Sequence, residues 1–117
     1  MTPAELVQKQ LDLYNARDLE AFMTLWADDA QVFEHPATLL ADGTPAIRER
    51  HAARFQEPNL QARLMHRMVI GNRVIDQEVV TRTFPEGPGT LEVVAIYEVV
   101  GGKISACWLI PGPVTMH

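Results

Sequence analysis

From Gln61 to the end of the chain, hydrophobic and polar residues alternate and β-branched residues are frequent, a period of two that predicts strands. Four antiparallel strands are expected, at Arg63–Ile70, Arg73–Phe84, Leu91–Val100 and Lys103–Ile110. Gly71-Asn72 and Gly101-Gly102 are short hairpin signals between them, and Pro85 to Gly89 is a looser turn. The first half has a helical period instead. Thr2, Pro3 and Glu5 form a capping box for helix 1, whose apolar stripes are Val7/Leu11/Tyr14 and Leu6/Leu13, the second interrupted by Gln10. Asp18 caps a second helix over Leu19–Ala27 that presents Leu19, Phe22, Leu25 and Trp26 at helical spacing. Gln31 to His35 reads as a short strand ended by Pro36, and Ala37 to Gly43 as a loop. Thr44 caps and Pro45 opens a third helix with an inner line of Ile47, His51 and Phe55.

The order is therefore ααβαββββ, an α+β domain in which three N-terminal helices cover one face of a curved antiparallel sheet. Such a sheet leaves a concave cavity. At 117 residues, 47% hydrophobic and 21% charged, the chain suits one packed domain over 1–117. A net charge of −5 and only two lysines, Lys9 and Lys103, argue against nucleic acid as partner. Arg48, Arg50, Arg54, Arg63, Arg67 and Arg73 gather in one stretch, either as an anion-attracting patch or paired with Glu49, Glu57 and other carboxylates. The lone Cys107 allows no internal disulfide, and no apolar run is long enough to span a bilayer, so the chain reads as cytoplasmic with no membrane partner. His35, His51, His66, His117 and Cys107 show no metal-ligand spacing, and no glycine-rich phosphate loop or Gly-x-Ser-x-Gly elbow is present. Cofactor-free chemistry, with no metal, is the expectation.

Candidate chemistry starts at Glu34 and His35. Neighbours on a strand face opposite ways, so only one of them enters the cavity unless a bulge intervenes. Glu34 is either a solvent-exposed carboxylate at a strand end or a pocket base whose pKa desolvation would raise. His51 interrupts an apolar helical stripe, either bonded to a backbone carbonyl or as a pocket donor. Gln10 is a core amide or a neutral donor. On the strand Arg73–Phe84, Ile75, Gln77, Val79 and Thr81 form one face and Asp76 and Glu78 lie on the other. With the apolar and neutral set lining the cavity, the acidic pair faces outward and carries no chemistry. His66 reads as structural, and Trp108 as core or interface.

The run "YNARDLEAFMTLWADDAQV" (14–32) together with "AIYEVVGGKI" (95–104) resembles the nuclear transport factor 2-like superfamily, in its SnoaL-like polyketide cyclase and ketosteroid isomerase-like branch. The resemblance spans nearly the whole chain and implies a cone-shaped sheet. It leaves activity open, because the superfamily holds isomerases, cyclases, dehydratases, epoxide hydrolases and non-catalytic binders. An ungapped match places Glu34 at the family's catalytic base, and Trp26 and His51 where some isomerases carry pocket tyrosines. Anchoring on the following proline would put His35 there, as the alternative base. The family's oxyanion tyrosine matches Gln10, and its protonated aspartic acid matches Val94. Both donors of the ketosteroid isomerase acid pair are absent at these positions, which argues against strict ketosteroid isomerase activity.

The resulting expectation is a cofactor-independent enzyme acting on an apolar small molecule, with Glu34 as base and His51 and Gln10 as donors. Isomerase, cyclase, dehydratase and hydrolase chemistry all fit. The pocket lining expected is Trp26, Val32, Ile47, Phe55, Ile75, Gln77, Val79, Val94, Ile96, Cys107 and Leu109. The alternative is a non-catalytic domain that binds a hydrophobic ligand or acts as a dimeric interaction module. Homodimerisation is implied by the resemblance, through an uncovered sheet face including part of Val80, Phe84 or Trp108.

Overall fold

In the computed structural model, which describes residues 1–117, the capping box forms with both arms. The Thr2 amide donates to Glu5 Oε1 at 2.8 Å and the Glu5 amide to Thr2 Oγ1 at 3.1 Å, opening α1 (Pro3–Ala16). Arg17, at φ 59° in the left-handed region, ends it. Asp18 then accepts from the Ala21 amide and starts α2 (Leu19–Met23). This second helix stops four residues before the expected Ala27. Trp26 belongs to the sheet instead, because the Ile104 amide bonds Leu25 O at 2.8 Å and Trp26 lies in register with Ile104.

Strand β1 (Trp26–Glu34) is thus longer than its short apolar core suggested, and the structure adds β2 (Thr38–Asp42) in the stretch read as a loop. Thr38–Asp42 has only one buried residue, Ala41, and is held by backbone pairing to β1, which a hydrophobicity pattern does not register. Helix α3 (Thr44–Arg54) is capped by Gly43 at φ 84° with no side-chain cap, so Thr44 is its first residue rather than its cap. Strands β3 (Gln61–Ile70), β4 (Arg73–Phe84), β5 (Gly87–Val100) and β6 (Lys103–Met116) follow as antiparallel neighbours, all but β4 longer than expected.

The sheet order is β2-β1-β6-β5-β4-β3, antiparallel except where β1 runs parallel to β6. This is the expected α+β architecture: three helices on one face of a curved, open sheet, its ladder interrupted by register shifts at Leu64/His66, Leu91/Val93 and Glu98/Val99. Asn15 ties α1 to β3 by donating to Ala62 O at 2.9 Å and accepting from the Ala62 amide at 2.8 Å. Phe22, Ile47, Val7, Val74 and Ile104 are fully buried between helices and sheet.

The face of β4 that meets the helices is the reverse of the expected one. Asp76 has no exposed surface and Glu78 is 6% exposed, whereas Gln77 is exposed and Ile75 and Val79 are half-buried on the outer side. Arg67, opposite Asp76 on β3, makes this possible. Its Nε donates to Asp76 Oδ1 at 2.7 Å and its Nη2 to Oδ2 at 2.9 Å, while Nη1 donates to Gln8 Oε1 on α1 at 2.9 Å. A buried ion pair broken on one side leaves an uncompensated charge. Asp76→Ala is therefore expected to cost about 3–5 kcal/mol in urea unfolding. Gln77→Ala on the opposite face should stay within roughly 0.5 kcal/mol of wild type.

Candidate functional site

The helices do not fill the concave face completely. Between α1, α3 and strands β1, β4, β5 and β6 lies a cavity of about 210 Å³, smaller than the roughly 300–1,000 Å³ that holds drug-sized ligands. Strand parity selects its walls: Val32 and Glu34 from β1, Glu78, Val80 and Arg82 from β4, Leu91, Val93, Ala95 and Tyr97 from β5, and Cys107, Leu109 and Pro111 from β6. Gln10, Leu11 and Tyr14 come from α1, and Arg50, His51 and Arg54 from α3; Trp26 and Leu40 complete the wall.

Gln10, Glu34 and His51, expected as catalytic groups, all border this cavity, as do Trp26, Val32, Cys107 and Leu109. Ile47 and Phe55 belong to the packed core beneath it. Ile75, Gln77, Val79, Val94 and Ile96 do not reach it. They occupy the opposite side of the sheet, since Ala95 pairs with Asp76 and both face the helices, which turns Val94 and Ile96 outward. Val80, assigned to the uncovered face, is instead a cavity wall, 8% exposed. His35 is exposed beyond the end of β1, outside the cavity. Glu34 is exposed at the rim, so the desolvation expected of a pocket base is lacking there.

Three other groups have that burial: Glu78, expected to face outward without chemistry, and two tyrosines to which no role was assigned. Glu78 reaches the cavity from the inner face of β4, and burial together with the negative charge of Asp76 pushes its carboxyl up to about 7, against the lowering effect of Arg67. Tyr14 and Tyr97 are the only tyrosines in the chain, and both border the cavity. Burial raises Tyr14 to about 12 and Tyr97 well above the usual phenol range, so both stay protonated as O–H donors. Tyr14 lies one helical turn beyond Gln10, and Tyr97 three residues beyond Val94 on the other strand face. The signal for them was helical and strand phase relative to those two positions.

His51 is held neutral. Its Nδ1 is 2.8 Å from Ile47 O, which can only accept, so Nδ1 carries the proton and Nε2 is left with a lone pair. Packing against Tyr14, Phe22, Trp26 and Phe55 desolvates the ring and lowers its pKa to about 4. His51 therefore offers the cavity an acceptor, not the donor expected of it. Cys107 is buried and its thiol pushed up beyond reach, which leaves it inert as a nucleophile.

These two shifts act on stability with opposite signs. The folded chain keeps the Glu78 proton between pH 4.5 and about 7 while the unfolded chain has released it, so that contribution is lost as pH rises. The unfolded chain protonates His51 below 6.5 while the folded chain resists to about 4, so that contribution is lost as pH falls. Glu78→Gln removes the first effect alone. Urea unfolding should show the variant gaining stability relative to wild type from pH 5 to pH 7; a constant difference would mean that Glu78 titrates as an ordinary carboxylate.

Among solved structures, an uncharacterized cystatin fold protein from Novosphingobium aromaticivorans is similar at TM-score 0.86 and 26% identity, covering 94% of this chain and 98% of that one. A hypothetical protein with a ketosteroid isomerase-like fold from Catenulispora acidiphila, in complex with trimethylamine, is similar at TM-score 0.77 and 18% identity, over 93% and 85% of the two chains. An NTF2-like protein of unknown function from Cytophaga hutchinsonii follows at TM-score 0.79 and 14% identity, over 97% and 92%. No curated protein matches the chain. No helix is long and apolar enough to cross a membrane. The family model for the SnoaL-like domain matches residues 7–107, most of the chain and nearly all of the cavity wall, and the chain belongs to that family.

Proposed function

We propose that the protein is a cofactor-independent enzyme of general acid–base type acting on a small, largely apolar carbonyl compound, with Glu78 rather than Glu34 as the proton-transferring group. One observation carries this reading. The buried side-chain atoms without a hydrogen-bond partner are Glu78 Oε2, Gln10 Oε1 and Trp26 Nε1, and all three residues border the same cavity. A buried polar group left unpaired costs about 1–3 kcal/mol, and a ligand that satisfied these atoms would recover it.

The chemistry follows from the protonation states. Ionised Glu78 removes a proton from the carbon beside a substrate carbonyl. The C–H electron pair becomes a C=C bond and the carbonyl π pair moves to oxygen. Tyr14 and Tyr97, neutral donors, stabilise that oxygen by hydrogen bonds without giving up their protons. Protonated Glu78 returns the proton at another carbon, giving isomerisation, or to a departing hydroxyl, giving dehydration. A pKa near 7 suits both directions of transfer at neutral pH. Two tyrosines at other positions thus fill the place of the donors missing at Gln10 and Val94.

Deuterium exchange at the α-carbon of a panel of small ketones and β,γ-enones tests this. Activity should rise with pH to a plateau above about 7, because the base works deprotonated. Glu78→Gln should reduce it by roughly 10²–10⁴-fold. Tyr14→Phe and Tyr97→Phe should each reduce it by about 10²-fold, and Glu34→Gln should cost far less than Glu78→Gln. A ligand retained unchanged, with no exchange in wild type, would support the alternative of a binding domain built on the same cavity.

The partner expected beyond the substrate is a second copy of the chain. A row of large apolar residues crosses five strands on the outer face in direct register: Phe33, Trp108, Ile96, Ile75 and Met68. Phe33 and Trp108 stack at 5.8 Å, and Met68 is 55% exposed. Such a row favours burial against an equivalent face. Light scattering should give twice the 13.1 kDa chain mass, and Trp108→Asp should give the monomer.

A further inference from the structure

The mouth of the cavity has a charge pattern that the apolar reading does not use. Arg50 and Arg54, one turn apart on α3, and Arg82 on β4 all border it. Of the five arginines elsewhere, Arg48 pairs with Glu20, Arg67 with Asp76 and Arg73 with Glu98, Arg17 donates to the carbonyls of Pro58 and Leu60, and Arg63 forms no ion pair at the outer edge strand β3. None of the three at the mouth forms an ion pair, although the chain carries 15 acidic residues against 10 basic ones.

Their surroundings make this costly. Arg50 is half-buried, and desolvation and the charge of Arg54 both act against its own charge; Glu34, the one carboxylate at the rim, offsets this only weakly. Arg82 rests over the Phe84 ring at 4.7 Å with no anion to bond. Behind the mouth the walls turn apolar, with Val80, Leu91, Val93 and Leu109, and end at Glu78. An anionic group is thus favoured at the rim and disfavoured at the inner end.

We propose that the cavity takes a small organic carboxylate, its anionic end held at the mouth by Arg50, Arg54 and Arg82 and its apolar body directed inward toward Glu78. The guanidinium fork matches a carboxylate with two parallel N–H donors, so the three arginines select by geometry as well as by charge. Fixing the anionic end at the rim also sets which carbon of the body lies beside Glu78. This rests on the cavity being the substrate site, and the test separates the two.

Isothermal titration of the wild-type protein with 4-phenylbutanoate, 4-phenylbutanamide and 4-phenylbutylamine compares one apolar body with an anionic, a neutral and a cationic head. The carboxylate should bind at least about tenfold tighter than the amide, a difference of about 1.4 kcal/mol, and the amine weakest. Arg50→Gln/Arg54→Gln should remove that preference while amide affinity stays unchanged, which also shows that the cavity remains folded. Arg50→Lys/Arg54→Lys, keeping charge without the fork, should retain only part of it. Amide or amine binding as tightly as carboxylate in wild type, or an undiminished preference in the glutamine variant, would overturn the carboxylate assignment and leave the cavity reading standing. Failure of all three probes to bind would overturn both.

Discussion

The pairing of Asp76 with Arg67 is the contact on which the rest of the inner face depends. A carboxylate without exposed surface is tolerated in a core only when its lone pairs are met, and here both oxygens accept from one guanidinium whose third nitrogen donates to Gln8 on α1. The pair therefore joins β3, β4 and the first helix. It also decides which face of β4 looks inward, because residues at intervals of two share a face. Once Asp76 is inside, Val74, Glu78, Val80 and Arg82 follow it, and Ile75, Gln77 and Val79 go to the other side.

The character of the cavity follows from the same choice. Glu78 inherits a position where burial and a neighbouring negative charge favour its protonated form, while Arg67 only partly offsets them. Around it stand groups held neutral by their surroundings, namely two phenols, an imidazole and a thiol, so Glu78 is the inner cavity group poised to change protonation near neutral pH. Charge is confined to the rim, where arginines on α3 and β4 face Glu34 across the opening. The cavity thus has a polar mouth, apolar walls and one titratable end.

The outer face of the sheet shows the complementary pattern. Its apolar row is built from the residues that alternate with the cavity lining on the same strands, Trp108 between Cys107 and Leu109 and Ile96 between Ala95 and Tyr97. The sheet thus carries large side chains on both faces and helices over only one of them. Cavity shape and outer face are consequently coupled: a substitution that altered strand twist would be felt on both.

The order of the helices and of the strands other than β2, the starts of the first two helices and the hairpins were legible from the chain alone, because capping, period and glycine turns are local effects of backbone sterics and hydrogen bonding. So was the gathering of Gln10, Glu34 and His51 about one concavity, through the resemblance of "YNARDLEAFMTLWADDAQV" and "AIYEVVGGKI" to the SnoaL-like branch. Strand β2 was not legible, since it is held by pairing to β1 and not by a buried face of its own. Nor were the faces of β4 and β5. Alternation shows that Ile75 and Asp76 point opposite ways but not which way is in, and an acidic residue reads as outward until its partner is known. Arg67 lies nine positions earlier in the chain, and Gln8 a further 59. Only tertiary pairing brings those three groups together, and with them the inward placement of Glu78. The sequence by itself determined the elements other than β2 and pointed to the family; the packed structure decided which side of each strand faces the cavity, because the burial of a charge depends on neighbours that local pattern does not contain.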